Sequence, residues 1–290
     1  MTILITGAGG QLGRSLQRTL TRNQVDHVSC SRSELDITLE SSLAKILKVN
    51  PSIIINCAAY TDVNAAEQNQ RAAEAVNVKG VKNMAKAANA VGARLLHIST
   101  DYVFSGEGNV PWGIHDLPNP KTVYGKTKHL GEKEIELIGD ANITVIRTAW
   151  LYGPFGSNFA KTIIKRITQS TDDIRVVTDQ VGQPTSTIDL ADAIFEVCTS
   201  RESPKTMHLA NLGVASWNQF AQELAKMCGQ SPDRIVPITS DDYPSLADRP
   251  KYSVLEVPDW EVKGTKLMKH WREALEVVFP EIFEFVREGI

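Results

Sequence analysis

The sequence predicts an α/β protein: a doubly wound parallel sheet followed by a smaller C-terminal unit. Short apolar runs alternate with segments of helical periodicity through the first half of the chain. The first of those runs empties into a cluster of glycines. Past residue 155 the alternation weakens into helical patterns separated by proline-containing loops.

Residues 2–6, Thr-Ile-Leu-Ile-Thr, read as a strand buried on both faces. Gly7-Ala-Gly-Gly10-Gln-Leu-Gly13 follows at once, then an amphipathic helix over 12–22. Glycines at 7, 10 and 13 allow a tight turn, close approach of backbone to a pyrophosphate, and close packing of helix on sheet. The helix N-terminus then faces the phosphates. The spacing is three and three, unlike the commoner G-x-G-x-x-G, and a glycine cluster alone is often only a turn. Between a strand and a helix it reads as a dinucleotide cradle of the Rossmann kind, with Gly7, Gly10, Gln11 and Leu12 on the cofactor.

A second strand is expected over 25–30. An acidic residue near its end would bond an NAD ribose, but Ser31 and Arg32 stand there. A hydroxyl and a guanidinium suit a ribose 2′-phosphate, which makes NADPH the expected cofactor. NADH stays open because Glu34 and Asp36 lie close, and so does a merely solvated Arg32. Asp36 is placed to face the adenine.

The alternation continues with a helix over 39–49, a strand over 53–59, a helix over 72–91, strands over 94–99 and 143–150, and a helix over 124–138 between them. Ligands of such sheets bind beyond the carboxyl ends of the strands. Gly7, Ala58, Ala59, Tyr60, Thr100, Asp101 and Trp150 therefore converge on one cleft. Helices are expected over 158–168, 188–199, 217–227 and 267–278. With no Gly/Ser or charged linker in between, residues 1–155 read as a dinucleotide-binding domain and 156–290 as a mainly substrate-binding one.

Thr100 and Tyr124-Gly-Lys-Thr-Lys128 supply a hydroxyl, a phenol and an ammonium suited to carbonyl reduction. At i and i+4 on a helix, Tyr124 and Lys128 share a face, so the ammonium is expected to stabilise the phenolate and lower the phenol's pKa. Such a pair alone is commonplace. Beside a dinucleotide cradle it becomes a candidate catalytic pair.

Composition narrows the alternatives. The 290 residues are 42% hydrophobic and 22% charged, enough for proper cores and against disorder. A net charge of -3 without a basic block argues against nucleic acid or an anionic membrane as partner. No apolar run approaches the roughly 20 residues needed to span a bilayer, and the strand at residue 2 leaves no room for a signal peptide, so the cytoplasm is expected. Cys30, Cys57, Cys198 and Cys228 are scattered and the six histidines show no ligand spacing, so no metal is assigned. His97, inside an apolar strand, reads as a satisfied core histidine.

Several blocks resemble the extended short-chain dehydrogenase/reductases, over nearly the whole chain. They are Ile5-Thr-Gly-Ala-Gly-Gly-Gln-Leu-Gly13, Asn56-Cys-Ala-Ala-Tyr-Thr61, Ser99-Thr-Asp-Tyr-Val-Phe104, Tyr124-Gly-Lys-Thr-Lys128, Arg147-Thr-Ala-Trp-Leu-Tyr152, Asn158-Phe-Ala-Lys161, Asp179-Gln-Val-Gly-Gln-Pro-Thr185 and Arg249-Pro250. The third and seventh are the most specific, and they resemble the rhamnose branch. That resemblance implies reduction of dTDP-4-keto-L-rhamnose to dTDP-L-rhamnose by NADPH. It implies a triad of Thr100, Tyr124 and Lys128, with Tyr124 as proton donor and Lys128 also on the cofactor ribose. Ala58, Ala59 and Tyr60 would line the cofactor. Asp101 would flank the active site, Trp150 would contact the hexose, and Asn158, Gln180 and Arg249 would help hold the nucleotide sugar. Read without the resemblance, Trp150 is core, Asn158 a helix cap and Arg249 a surface charge.

The chain departs from the family in places. Some relatives bridge a dimer through magnesium held by glutamates, one of them shortly after the third glycine. Ser15 stands there, and a serine alone is a poor magnesium ligand, so monomer and homodimer both stay open. Asn64 replaces a common aspartate, and Tyr252 a common asparagine. The same triad would serve a reductase or epimerase of another nucleotide sugar. A non-catalytic subunit with this fold, like the regulatory subunit of methionine adenosyltransferase, is the alternative from another class.

Overall fold

The computed structural model describes residues 1–139, 142–200, 204–243, 245–257, 261–262, 265–266 and 268–289. Five apolar runs form parallel strands: β1 (Ile3–Thr6), β2 (His27–Cys30), β3 (Ile53–Asn56), β4 (Arg94–Thr100) and β5 (Ile143–Thr148). The helices between them are α1 (Gln11–Arg22), α2 (Ser42–Val49), α3 (Val63–Gln68), α4 (Gln70–Glu74), α5 (Val81–Val91) and α6 (Val123–Ile138). Because side chains alternate along a strand, each strand feeds two cores. Ile3, Ile5, Ile53, Ile55 and Leu96 pack with Leu12, Leu16 and Leu20 of α1. Leu4, Ile54 and Leu95 pack with Ile46 of α2, Met84 of α5 and Ile135 of α6.

Past β5 come β6 (Leu151–Tyr152), α7 (Phe159–Gln169), β7 (Ile174–Val177), β8 (Val181–Gly182), β9 (Thr185–Ser186), α8 (Thr187–Thr199) and β10 (Thr206–His208). The chain here crosses back to the first layer. β10 pairs with β5, giving the sheet order β10-β5-β4-β3-β1-β2, and Leu190, Ile194 and Val197 of α8 join the α1 core. A separate core then gathers α7, β7, β11 (Ala215–Ser216), α9 (Trp217–Met227), β12 (Ile235–Ile238) and α10 (Trp271–Glu288) around Ile164, Phe220, Trp271 and Leu275.

The expected elements are present with shifted ends. The helix expected over 39–49 begins at Ser42, because Asp36 Oδ1 accepts from Thr38 N–H and hydroxyl (2.9 and 2.8 Å) and holds a turn. The strand expected to reach 150 stops at Thr148, since Trp150 has a φ of 46°. The single helix expected over 72–91 is α4, a π-helical stretch Ala75–Gly80, and α5. Inside that stretch Asn77 accepts from Tyr60 N–H (2.8 Å) and donates to Tyr60 O and Thr127 Oγ1 (3.1 Å each). A π-bulge at such a place aims one side chain, here at the loop after β3. The expectation over 267–278 starts on a residue outside the described ones. α10 runs on through Pro280 because Val278 and Ile282 continue its buried stripe. No described helix is long and apolar enough to cross a membrane.

Candidate active site

A cleft of about 760 Å³ opens at the carboxyl ends of β1 to β5. Its floor is the glycine turn. Gly7 has φ +65°, and a Cβ there would come within 2.6 Å of Ala58 N, so only glycine fits between the first and third strands. A Cβ on Gly13 would strike Gly7 O, which lets α1 seat on the turn. α1 starts at Gly10 with no side-chain cap and no acidic residue in its first turn, so its leading N–H groups are free to meet an anion. Gln11 and Leu12 line the cleft beside them, as do Ala58, Ala59 and Tyr60 opposite.

At one end lie Ser31, Arg32 and Asp36. Ser31 donates its hydroxyl (2.7 Å) and N–H (2.8 Å) to Glu34 Oε2, and these bonds hold that carboxyl below its usual range. Arg32 Nε lies 3.4 Å from Asp36 Oδ2. The Thr38 N–H keeps Asp36 below the ordinary carboxylate range, with help from Arg32.

At the other end Thr100, Asp101, Tyr124, Lys128 and Trp150 meet. Thr100 ends β4 and donates to Asp101 Oδ1 (2.9 Å). Burial lifts Asp101 to about 6 against the hydrogen bonds of Ser253 and Thr100. Tyr124 enters on the first turn of α6, which Thr122 caps by accepting from Gly125 N–H (3.0 Å). Lys128 lies one turn later and is 1% exposed.

One expectation is corrected here. The phenol of Tyr124 is pushed above its usual range, because enclosure outweighs a hydrogen bond to Thr100, and Asp101 and Tyr102 add to the rise. Lys128 does not lower it. Its ammonium donates to Ile98 O (2.7 Å), and burial brings it down to about 8 with Glu132 opposing.

Behind the triad sits a buried ion pair. Glu132 accepts from Arg147 Nε (3.1 Å) and Nη2 (2.8 Å) and from Ser99 Oγ (2.5 Å). Burial alone would raise the Glu132 carboxyl, but the His129 ring 3.7 Å away, the hydrogen bonds and charge of Arg147, and Ser99 together hold it at about 2.

Three residues chosen from sequence lie outside the cleft lining. Asn158 caps α7 by accepting from Lys161 N–H (3.0 Å), and its amide donates to Gln11 Oε1 (3.1 Å), steadying a residue that does line the cleft. Gln180 is buried and donates to Ser240 Oγ (2.9 Å). Arg249 donates to Tyr102 Oη (3.3 Å), and that ring meets Tyr124 edge-on at 5.5 Å. Tyr102 and Trp217 line the cleft without having been singled out. Trp217 stacks on Trp150 with centroids 3.5 Å apart and planes 2° from parallel. Tyr102 stood inside a quoted block. Trp217 carried no local signal beyond opening a helix behind the Ser216/Gln219 capping box.

Ser15 is fully buried and bonds Thr187 Oγ1 (2.9 Å) and Gln11 O (3.2 Å), so a magnesium bridge at that position does not fit the residues present. Among the described residues no group of three or more His, Cys, Asp or Glu is placed to hold a metal.

Residues 1–283 match the family model of the RmlD substrate binding domain. The chain is 40% identical to the dTDP-4-dehydrorhamnose reductase of Streptomyces griseus, over 96% of this chain and 93% of that one. It is 39% identical to a probable dTDP-4,6-dihydroxy-2-methyloxan-3-one 4-ketoreductase of Streptomyces antibioticus, over 97% and 96%. Its fold superposes with a TM-score of 0.90 on the dTDP-4-dehydrorhamnose reductase of Bacillus anthracis solved in complex with NADP, at 36% identity over 97% of this chain and 99% of that one.

Proposed function

The chain belongs to the RmlD substrate binding domain family, and from that premise we propose that it reduces dTDP-4-dehydro-L-rhamnose to dTDP-L-rhamnose with NADPH. The observation that carries the proposal is the single cleft joining the uncapped N-terminus of α1 to Thr100, Tyr124 and Lys128.

The residues present suit the cofactor. The turn at Gly7 leaves no room for a Cβ, and the first N–H groups of α1 can hold a pyrophosphate. NADPH, when bound, supplies the hydride. An exposed ion pair such as Arg32–Asp36 is worth about 0–1 kcal/mol, so a 2′-phosphate can draw Arg32 away from it. Arg32→Ala is therefore expected to weaken NADPH about tenfold and leave NADH nearly unchanged. Titration of both dinucleotides checks this, and equal losses would sink the 2′-phosphate assignment.

Charge builds on the keto oxygen as the hydride arrives, so donors aimed there favour the transition state over the ground state. Tyr124, held protonated, gives that oxygen its proton, and Thr100 supports the same oxygen. Lys128 keeps a cation next to them. Trp150 packs on the hexose and Asp101 flanks it, while Gln180, Asn158 and Arg249 help hold the nucleotide sugar from behind the cleft wall, Asn158 through Gln11 and Arg249 through Tyr102. We further propose residues 1–155 with α8 and β10 as the cofactor domain, the rest of 156–290 as mainly substrate-binding, and the cytoplasm as the location.

The test is NADPH oxidation by the purified protein with dTDP-4-keto-L-rhamnose, the product identified by mass and sugar analysis. Formation of dTDP-L-rhamnose supports the proposal. The Streptomyces antibioticus relative favours a second reading, a different dTDP-4-keto sugar. Turnover of such a sugar alone would select it, and NADPH binding without any turnover would select a regulatory role.

A further inference from the structure

Thr6, Asn56 and His97 are rungs of three neighbouring strands: Thr6 pairs in register with Asn56 across β1 and β3, and Asn56 with His97 across β3 and β4. All three are 0% exposed, and the residues just before them on their strands, Ile5, Ile55 and Leu96, are buried and apolar. Their side chains form a file. Thr6 Oγ1 lies 2.6 Å from Asn56 Oδ1, Asn56 Nδ2 lies 3.0 Å from His97 Nδ1, and His97 Nε2 lies 3.4 Å from Lys128 Nζ. Polar groups are costly in such a place unless they serve one another.

A neutral imidazole has one N–H and one lone pair, so its two nitrogens play opposite roles. If Lys128 is an ammonium, His97 Nε2 must accept from it. Nδ1–H then donates to the Asn56 oxygen, and the Asn56 amide N–H₂ turns to Thr6. Only if Lys128 is neutral, with a lone pair on its nitrogen, can the file run the other way: Nε2–H donates to the amine, Nδ1 accepts from Asn56, and the Asn56 oxygen accepts from Thr6. Either amide orientation fits the same heavy-atom positions. The direction of the file and the charge of the lysine are thus coupled: the ammonium allows one direction, the neutral amine both. The file ends at buried Thr6, so it tunes and does not drain protons to solvent.

We propose that His97 is a positioning residue for Lys128, and that its imidazole, backed by Asn56 and Thr6, sets where the lysine nitrogen sits and which charge it presents to the cleft. This rests on the reading of Lys128 as a catalytic group. Burial and the neighbouring Lys128 charge keep His97 well below its ordinary pKa, and therefore neutral. The other titratable groups around Lys128 are Tyr124 and Glu132 on its own helix, Cys57 after β3, and Arg147 on β5 through Glu132. Of these, Glu132 and Cys57 favour the ammonium.

The experiment is the pH dependence of kcat and kcat/KM. His97→Leu removes an acceptor from the ammonium, so the alkaline limb should move down by about one pH unit, a tenfold change in protonation. His97→Gln keeps an oxygen facing the lysine and should restore most of that shift. Asn56→Asp forces the tautomer whose Nε2 accepts and should move the limb up. Opposite shifts from these variants are not produced by a general loosening of the sheet. If Lys128→Met is inactive while folded His97→Leu and Asn56→Asp keep the native limb, the proposal is overturned and the role of the lysine stands. If Lys128→Met turns over normally, both fall. Should His97→Leu not fold, the direction of the Asn56→Asp shift decides.

Discussion

Tyr124→Phe is expected to lower kcat by about 10²–10⁴-fold, the span of a lost general acid, with NADPH binding unchanged. The substitution removes one oxygen and keeps the ring, so the edge-on contact with Tyr102 and the cleft wall persist. On the proposed mechanism, what disappears is the proton for the developing alkoxide. Its raised pKa keeps the phenol protonated through the neutral range, as an ordinary phenol also is, and makes it a weaker acid, so the role rests on its place in the cleft beside Thr100 and not on its pKa. Stopped-flow NADPH oxidation together with equilibrium NADPH titration makes the comparison. Turnover within a few-fold of native, with cofactor bound, would remove Tyr124 from the chemistry.

Glu132→Ala should be the most damaging substitution away from the reacting atoms. Arg147 is 6% exposed, and stripping its carboxylate leaves a buried guanidinium without compensation, a loss of about 3–5 kcal/mol. Its remaining named contact, the Phe104 ring 5.1 Å from the guanidinium carbon, does not replace two charge-assisted bonds. A denaturant midpoint that falls at constant m measures this, and a loss below about 1 kcal/mol would show that water already reaches the pair. The double variant Glu132→Leu/Arg147→Met should recover most of the stability, since a packed apolar pair carries no desolvation cost.

The same pair predicts an acid limit. Glu132 has a folded pKa of about 2, below the ordinary carboxylate value of 4.5. A depressed carboxylate contributes stability that is present above the unfolded pKa and lost as pH falls through the folded one. The native protein should therefore lose stability between about pH 4.5 and 2, and the double variant should lose less over that window. Thermal melts across that range compare them.

Much of the fold was legible because it is written in local periods. The 3.6-residue stripe of α1 and the β-branched runs of β1 and β3 need no knowledge of partners. The glycine turn was readable for the same reason, since strand, turn and helix are contiguous. Where elements ended was less legible. α2 starts late because of an Asp36 turn, and the helix over 72–91 is interrupted so that Asn77 can hold Tyr60. Asn158 was readable locally only as a helix cap, which it is on α7; its second bond, to Gln11 across 147 residues, no local pattern encodes.

By itself the sequence determined the parallel sheet, the glycine turn and the pairing of Tyr124 with Lys128 on one helix, because each depends on residue type at short spacing, while Thr100 joined them as a triad only through the resemblance. Only the tertiary structure decided which way Lys128 points, what stands behind it and who shares the cleft. Its ammonium answers to Ile98 and His97 on another strand and not to the tyrosine one turn away on its own helix. Trp217 reaches Trp150 from α9, and Arg147 reaches Glu132 from β5. β10 returns past α8 to close the edge of the first sheet. These are pairings between distant segments, and their protonation follows from burial, which no local pattern encodes.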